Sequence, residues 1–261
     1  MKKNSILLFA GLLVIISCKK APVAKNQIEE QPIEKTFSQK IEIAHKKEAF
    51  LAKEAIQFDA FVEFGGKEVF NANITISTNS DIAKITYNNG DEIFVNKENI
   101  FVSPSINDNQ AVRFHAYTWS YFFLYPYKLS DKGTKWDYNF KTKEAKNDFD
   151  VAKLTFEPNI GDAPDDWYIV HSDKKTHLLE DVAYIVTFGK TTEVAEEDPH
   201  AIKYQDYKMI NGIPIATNWG YYGWSITTGL SDKIGSAKIT NIHFVEGFRK
   251  DFSVPKNYIK K

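Results

Sequence analysis

Apolar side chains recur with a period of two over most of this sequence, and turn signals cut the pattern into short pieces. Phe58, Ala60, Val62 and Phe64 alternate up to Gly65-Gly66, and Ile74 and Ile76 continue on the next run. Residues 82–87 and 92–96 flank Asn88-Asn89-Gly90-Asp91, the pattern of a hairpin. A strand over 99–103 stops at Pro104. After a polar stretch over 141–150, strands are predicted over 151–156, 166–171, 178–188, 202–210, 213–219, 222–227 and 234–245. Alternation of this kind buries one face of each strand and wets the other. Roughly a dozen strands without strand–helix–strand alternation predict one mainly β, antiparallel domain. No internal repeat is present.

Two segments break the rhythm. Over 38–53, Ile41, Ala44, His45, Glu48, Ala49 and Ala52 follow helical steps, which predicts an N-terminal helix. Over 107–127, Val112, His115, Trp119 and Phe122 fall three or four apart, as do Ala111, Phe114, Thr118 and Tyr121. A second helix is predicted there, ending before Pro126. It is apolar nearly all round, so most of its surface has to be covered. Either it is a plain core helix, or it lies over the concave side of a sheet and partly lines a ligand cavity.

Composition narrows the function. The chain carries 19 Phe, 13 Tyr and 5 Trp, ring area that suits a thick β core or an apolar cavity. Lys plus Arg number 33 against 34 Asp plus Glu, which gives no electrostatic reason to expect nucleic acid. A single Cys excludes an internal disulfide, a thiolate zinc site and an iron–sulfur cluster. No cofactor is implied.

That Cys lies in the N-terminal segment. Lys2 and Lys3 precede an apolar run from Ile6 to Ile16, too short at about 11 residues to span a bilayer comfortably but suited to an export signal. The run ends Ile15-Ile16-Ser17-Cys18, which resembles a bacterial lipobox, where the Cys is lipidated and becomes the new N-terminus. Residues 1–17 are expected to be a lipoprotein signal peptide and 18–37 a lipidated flexible tether, polar and marked by Pro22 and Pro32. The folded domain is expected over 38–261. Lys19-Lys20 follow the Cys where inner-membrane retention often uses Asp. By analogy the anchor is placed in the outer membrane, with the domain facing the periplasm.

With this order of elements the chain resembles the Lol-type envelope proteins, which carry or accept lipoproteins. Two blocks add to the likeness: WSYFFLYPYKLSD over 119–131, and GDAPDDWY over 161–168 with the hairpin VHSDKKT after it at 170–176. Both are similar to blocks of an uncharacterised group of Gram-negative lipoproteins placed near that fold. The resemblance implies an incomplete β-barrel, an antiparallel half-barrel with an N-terminal helix and an aromatic helix as its lid. It carries no established reaction. Periplasmic shuttles are not lipidated, so Cys18 makes this chain more like an anchored acceptor or a static binder.

Catalytic signals are weak. The six histidines are His45, His115, His171, His177, His200 and His243. His171 and His177 flank a turn containing Asp173, with Asp162, Asp165 and Asp166 just upstream. A hydrolase would need such groups to converge; Asp beside Pro and Gly also simply makes turns. No nucleophile elbow, zinc-protease helix or phosphate-cradling loop is present, and no metal site is expected. The expected ligand is an amphiphile, an acyl chain or a lipidated protein. Its cavity is predicted from Phe114, Trp119, Phe122 and Phe123 on the aromatic helix and Tyr168, Trp219, Tyr222 and Trp224 on later strands. Two alternatives stay open: a structural or interaction lipoprotein whose rings fill the core, and a hydrolase around Asp162–His177.

Overall fold

The computed structural model describes residues 34–106, 109–142 and 149–261. The predicted signal, Cys18 and most of the tether lie outside the described residues. Strand β1 (Ala55–Phe64) shows how the alternation is used. Ile56, Phe58, Ala60 and Val62 are buried on one face, and Gln57, Asp59 and Phe61 occupy the other. On that outer face Gln57 donates to Asn73 Oδ1 at 2.9 Å, and Asn73 donates to Asp59 Oδ1 at 2.8 Å. The polar positions thus hold the ladder laterally while the apolar ones build the core.

Four more strands, β2 (Lys67–Ser77), β3 (Ile82–Tyr87), β4 (Glu92–Asn96) and β5 (Asn99–Val102), step outward from β1 as a meander. A second meander runs through β6 (Thr134–Asp137), β7 (Phe149–Phe156), β8 (Tyr168–Asp173), β9 (Leu179–Tyr184), β10 (His200–Ile210), β11 (Ile213–Ser225) and β12 (Gly229–Val245). The last of these returns to pair antiparallel with β1, from Ala55 opposite Val245 to Phe64 opposite Gly235. With β13 (Ile259–Lys260) on β5, this gives one sheet ordered β13-β5-β4-β3-β2-β1-β12-β11-β10-β9-β8-β7-β6. Its two ends are not paired to each other, so the sheet is an open half-barrel, as the resemblance implied. Both edges are short, which limits the backbone they offer to other chains.

The connection from β5 to β6 leaves one half of the sheet and must reach the opposite edge. It does so as helix α3 (Asn109–Leu124), which packs its buried side on the concave face. Two short helices, α1 (Phe37–Ala44) and α2 (Lys47–Leu51), precede β1. Thr36 starts α1 with a capping box: its hydroxyl accepts from Gln39 N at 3.3 Å, and Gln39 Oε1 accepts from Thr36 N at 2.9 Å. Every described strand and helix, with its core, lies in the one compact unit Lys35–Lys261, so this unit carries its own fold. Among the described residues no helix is long and apolar enough to cross a membrane.

Several boundaries differ from expectation for local reasons. The single helix expected over 38–53 is broken at Lys46, whose φ of 58° places it in the left-handed region. Residues 213–219 and 222–225 form one strand, because Gly220 stays in the ladder with β10, and the expected 226–227 fall in the turn that follows. The ring of Tyr222 lies where a side chain at 220 would be, 2.6 Å from an added Cβ, so glycine serves a close approach there. The aromatic helix ends at Leu124, and Pro126 sits in a 3-10 turn, Tyr125–Tyr127. Two further short helices, α4 (Thr192–Ala195) and α5 (Phe248–Asp251), and strands β6 and β13 carry too few residues to show a period.

Candidate functional site

Helix α3 turns Val112, Ala116, Trp119 and Phe123 toward the sheet, and all four are buried. Phe123 stacks on Phe58 with ring centroids 4.0 Å apart. Trp119, 2% exposed, packs against Phe70 and donates from Nε1 to His115 Nδ1 at 2.8 Å. Beside this contact the half-barrel keeps a cavity of about 600 Å³ that wraps the helix, a size typical of small-molecule pockets. One wall comes from Ile76, Ala83 and Val95 on β2, β3 and β4; the other comes from Tyr168, Tyr184 and Tyr221 on β8, β9 and β11. Exposed lining residues, Lys97, Glu98, Lys132 and Asp162, mark where it opens.

Several of the polar groups on the lining are held by partners. The Arg113 guanidinium pairs with Asp162 and lies over the Tyr117 ring, 5.4 Å from its centroid, tying α3 to the segment before β8. Lys128 bridges Asp131 at 2.7 Å and Ser80 Oγ at 2.9 Å. Asp166 accepts from Thr187 N at 2.8 Å and Thr187 Oγ1 at 2.7 Å; burial nonetheless pushes its carboxyl above the usual range. Burial also raises the phenols of Tyr168, Tyr184 and Tyr221, which therefore stay neutral donors. Among the described residues, the hydroxyls of Ser120 and Tyr221 are buried on the cavity wall with no hydrogen-bond partner.

Of the rings expected to line a cavity, Phe114, Trp119, Phe122 and Tyr168 do so. Phe123 and Trp219 lie in the core beneath it, Trp219 with its ring centroid 6.1 Å from that of Tyr204. Tyr222 and Trp224 are on the outer face: Tyr222 stands across from Ala201, and Trp224 clusters with Ile169, Ala183 and Ala201. Strand parity explains the split. Trp219 and Tyr221 share the inner face, and positions 222 and 224 fall on the other after the register shifts. Sequence reasoning left Tyr121, Tyr184 and Tyr221 out of the cavity and weighed Asp166 only among the carboxylates of a hydrolase. Tyr184 and Tyr221 were findable by extending the parity of Val182 to Tyr184 and of Trp219 to Tyr221; no local pattern places Tyr121 or Asp166 on a cavity wall.

The residues weighed for a hydrolase are spread over both faces. Asp162 pairs with Arg113 at the cavity opening, whereas His171 lies on the outer face with Nδ1 2.9 Å from Asp181 Oδ1, without a hydrogen bond between them. Asp173 makes the turn before His177, accepting from Thr176 N at 2.7 Å and Lys175 N at 3.0 Å, bonds that hold its carboxyl below the usual range. Among the described residues no three His, Cys, Asp or Glu side chains converge as metal ligands.

An open antiparallel sheet curved round a helix that joins its two halves defines a half-barrel architecture. The chain has the LolA-type fold: it superposes on a LolA superfamily protein from Nitrosomonas europaea with a TM-score of 0.56 at 10% identity, over 83% of this chain and 97% of that one. A DUF1329 family protein from Desulfovibrio piger gives 0.49 at 12% identity, covering 82% of this chain and 95% of that one. An outer membrane lipoprotein-sorting protein domain from Vibrio parahaemolyticus gives 0.46 at 10%, covering 83% and 94%. No family model matches the chain, and no curated protein matches it.

Proposed function

We propose that this protein is a lipidated envelope protein whose half-barrel binds an amphiphile, an acyl chain or the lipid-modified end of a protein. The observation that carries this reading is the cavity of about 600 Å³ between α3 and the concave face, walled by aliphatic and aromatic side chains. Each methylene buried there contributes about 0.8 kcal/mol, so ten of them outweigh a typical immobilisation cost for a small ligand. The LolA-type fold supports the reading. The separation of Asp162 from His171 and His177 favours binding over catalysis.

Cys18 supplies the anchor in this proposal: a diacylglyceryl thioether and an N-acyl chain, such as palmitate, give the two or more hydrophobic signals that stable attachment needs. The domain then hangs in the periplasm from the outer membrane. Replacing Cys18 by Ala is expected to leave the precursor uncleaved, and a variant that still fractionates as mature lipoprotein refutes the anchor. For the cavity, the unit 35–261 purified without detergent is expected to release a bound lipid on solvent extraction, read by mass spectrometry, and to bind a fluorescent fatty-alcohol probe. The second reading, a filled core, draws on the tight burial of Trp119 and Phe123. Absence of both lipid and probe binding leaves that reading standing.

A further inference from the structure

The cavity has one end of distinct chemistry, where β8 begins and β9 ends. Tyr168, the first residue of β8, is the register partner of Tyr184, the last of β9, and their ring centroids are 6.3 Å apart. Tyr121 of α3 completes the group, 5.8 Å from Tyr168. Asp166, two residues before β8, lines the same space. Both of its hydrogen bonds come from Thr187 and land on Oδ1. Among the described residues Asp166 forms no ion pair, whereas its neighbours on the lining do: Asp162 with Arg113 and Asp131 with Lys128.

A partly buried carboxylate without a cation is costly. Its charge is felt by all three rings, whose phenols it helps to raise. Such a place repels the carboxylate of a free fatty acid and suits a positive group, which gains from the carboxylate and from the ring faces together. We infer that the cavity takes an amphiphile with an amine head, its ammonium seated against Asp166 among Tyr121, Tyr168 and Tyr184. The inference rests on the amphiphile-binding reading above and adds the head-group class. The ammonium comes from one of two sources, a simple alkylamine or an aminophospholipid.

The test is competition against a fluorescent fatty-alcohol probe bound to the detergent-free unit 35–261. Dodecylammonium is expected to displace the probe at about tenfold lower concentration than dodecanol. Asp166→Asn, which keeps an acceptor for Thr187, is expected to erase that difference and leave dodecanol unchanged. Lysophosphatidylethanolamine set against lysophosphatidylglycerol of the same chain separates the sources: a preference there assigns the aminophospholipid, and a preference confined to dodecylammonium assigns the alkylamine. Equal competition by dodecanol and dodecylammonium overturns the inference while amphiphile binding stands. So does an ammonium preference that survives Asp166→Asn. Binding of no alkyl compound overturns both. Should the variant fail to fold, the wild-type series decides alone.

Discussion

The phenol of Tyr204 donates a hydrogen bond to the main-chain carbonyl of Phe122 at 2.9 Å, across the core from β10 to α3. In a continuing helix that carbonyl would accept from the residue four positions on. Here that residue is Pro126, which has no N–H. The sheet therefore supplies the donor that the helix sequence lacks. The bond fixes the C-terminal turn of α3 beside the cavity, where the adjacent Phe122 ring faces Tyr184 with centroids 5.1 Å apart.

Tyr204→Phe is expected to cost about 1–3 kcal/mol, because it leaves a buried carbonyl without its side-chain donor and changes little volume. Urea unfolding of the unit 35–261 measures it. A loss below about 0.5 kcal/mol would mean that another donor takes over that carbonyl.

Trp119 and Phe114 separate packing from binding. Trp119 is wedged among Phe70, Phe114 and Tyr221, so Trp119→Ala is expected to cost about 3–5 kcal/mol. Phe114 is only partly buried on the cavity wall, so Phe114→Ala is expected to cost about 1–2 kcal/mol and to weaken probe binding. Denaturation midpoints and probe titration of both variants check this. Unchanged probe affinity in Phe114→Ala would remove that ring from the site.

His45 predicts an acid sensitivity. It is buried at the end of α1, its Nε2 accepts from Leu179 N at 3.2 Å, and burial pulls its pKa from 6.5 down to about 3. The unfolded chain takes up a proton below its unshifted pKa and the folded chain does not. Stability should therefore fall as pH drops from about 6.5 toward about 3, by up to about 1.4 kcal/mol per pH unit. His45→Gln keeps an acceptor for Leu179 and removes the titration. Between pH 6.5 and 4.5, above most carboxylate titrations, its stability curve should be flatter than that of the wild type. Parallel curves would show that His45 protonates without penalty.

What the sequence disclosed tracks what depends on short range. Ile56, Phe58, Ala60 and Val62 reveal their strand because each faces the same core two residues apart. The ring-rich stretch around Trp119 reveals a helix that must be covered. Pairing of β1 with β12 joins residues as far as 190 apart, as Ala55 with Val245, and no local period encodes it. The break at the left-handed Lys46 and the continuity through Gly220, which pairs with Lys203 on β10, also escaped local reading. At the site, reading 213–219 and 222–227 as separate strands hid the parity that carries the inner face from Trp219 to Tyr221 rather than to Tyr222.

Two in-strand glycines make a contrasting pair. Gly235 on β12 stands in register with Phe64 on one side and Tyr221 on the other, and both rings line the cavity with centroids 4.9 Å apart. A Cβ at 235 would lie 2.5 Å from the Glu63 carbonyl oxygen and 2.6 Å from Phe64 Cδ1. Neither obstacle yields cheaply, since one is backbone and the other is the inner part of a packed ring. At Gly220 the added Cβ would meet the Tyr222 ring at 2.6 Å, but that side chain is only partly buried on the outer face and has room to swing away. Gly235→Ala is therefore expected to cost about 1–3 kcal/mol and to weaken probe binding by displacing Phe64, and Gly220→Ala to cost less on both counts. A double-mutant cycle with Phe64→Ala identifies the cause. If the ring clash dominates, the Gly235→Ala penalty shrinks in the Phe64→Ala background; if the two losses simply add, the Glu63 carbonyl is the obstacle and Phe64 does not depend on that glycine.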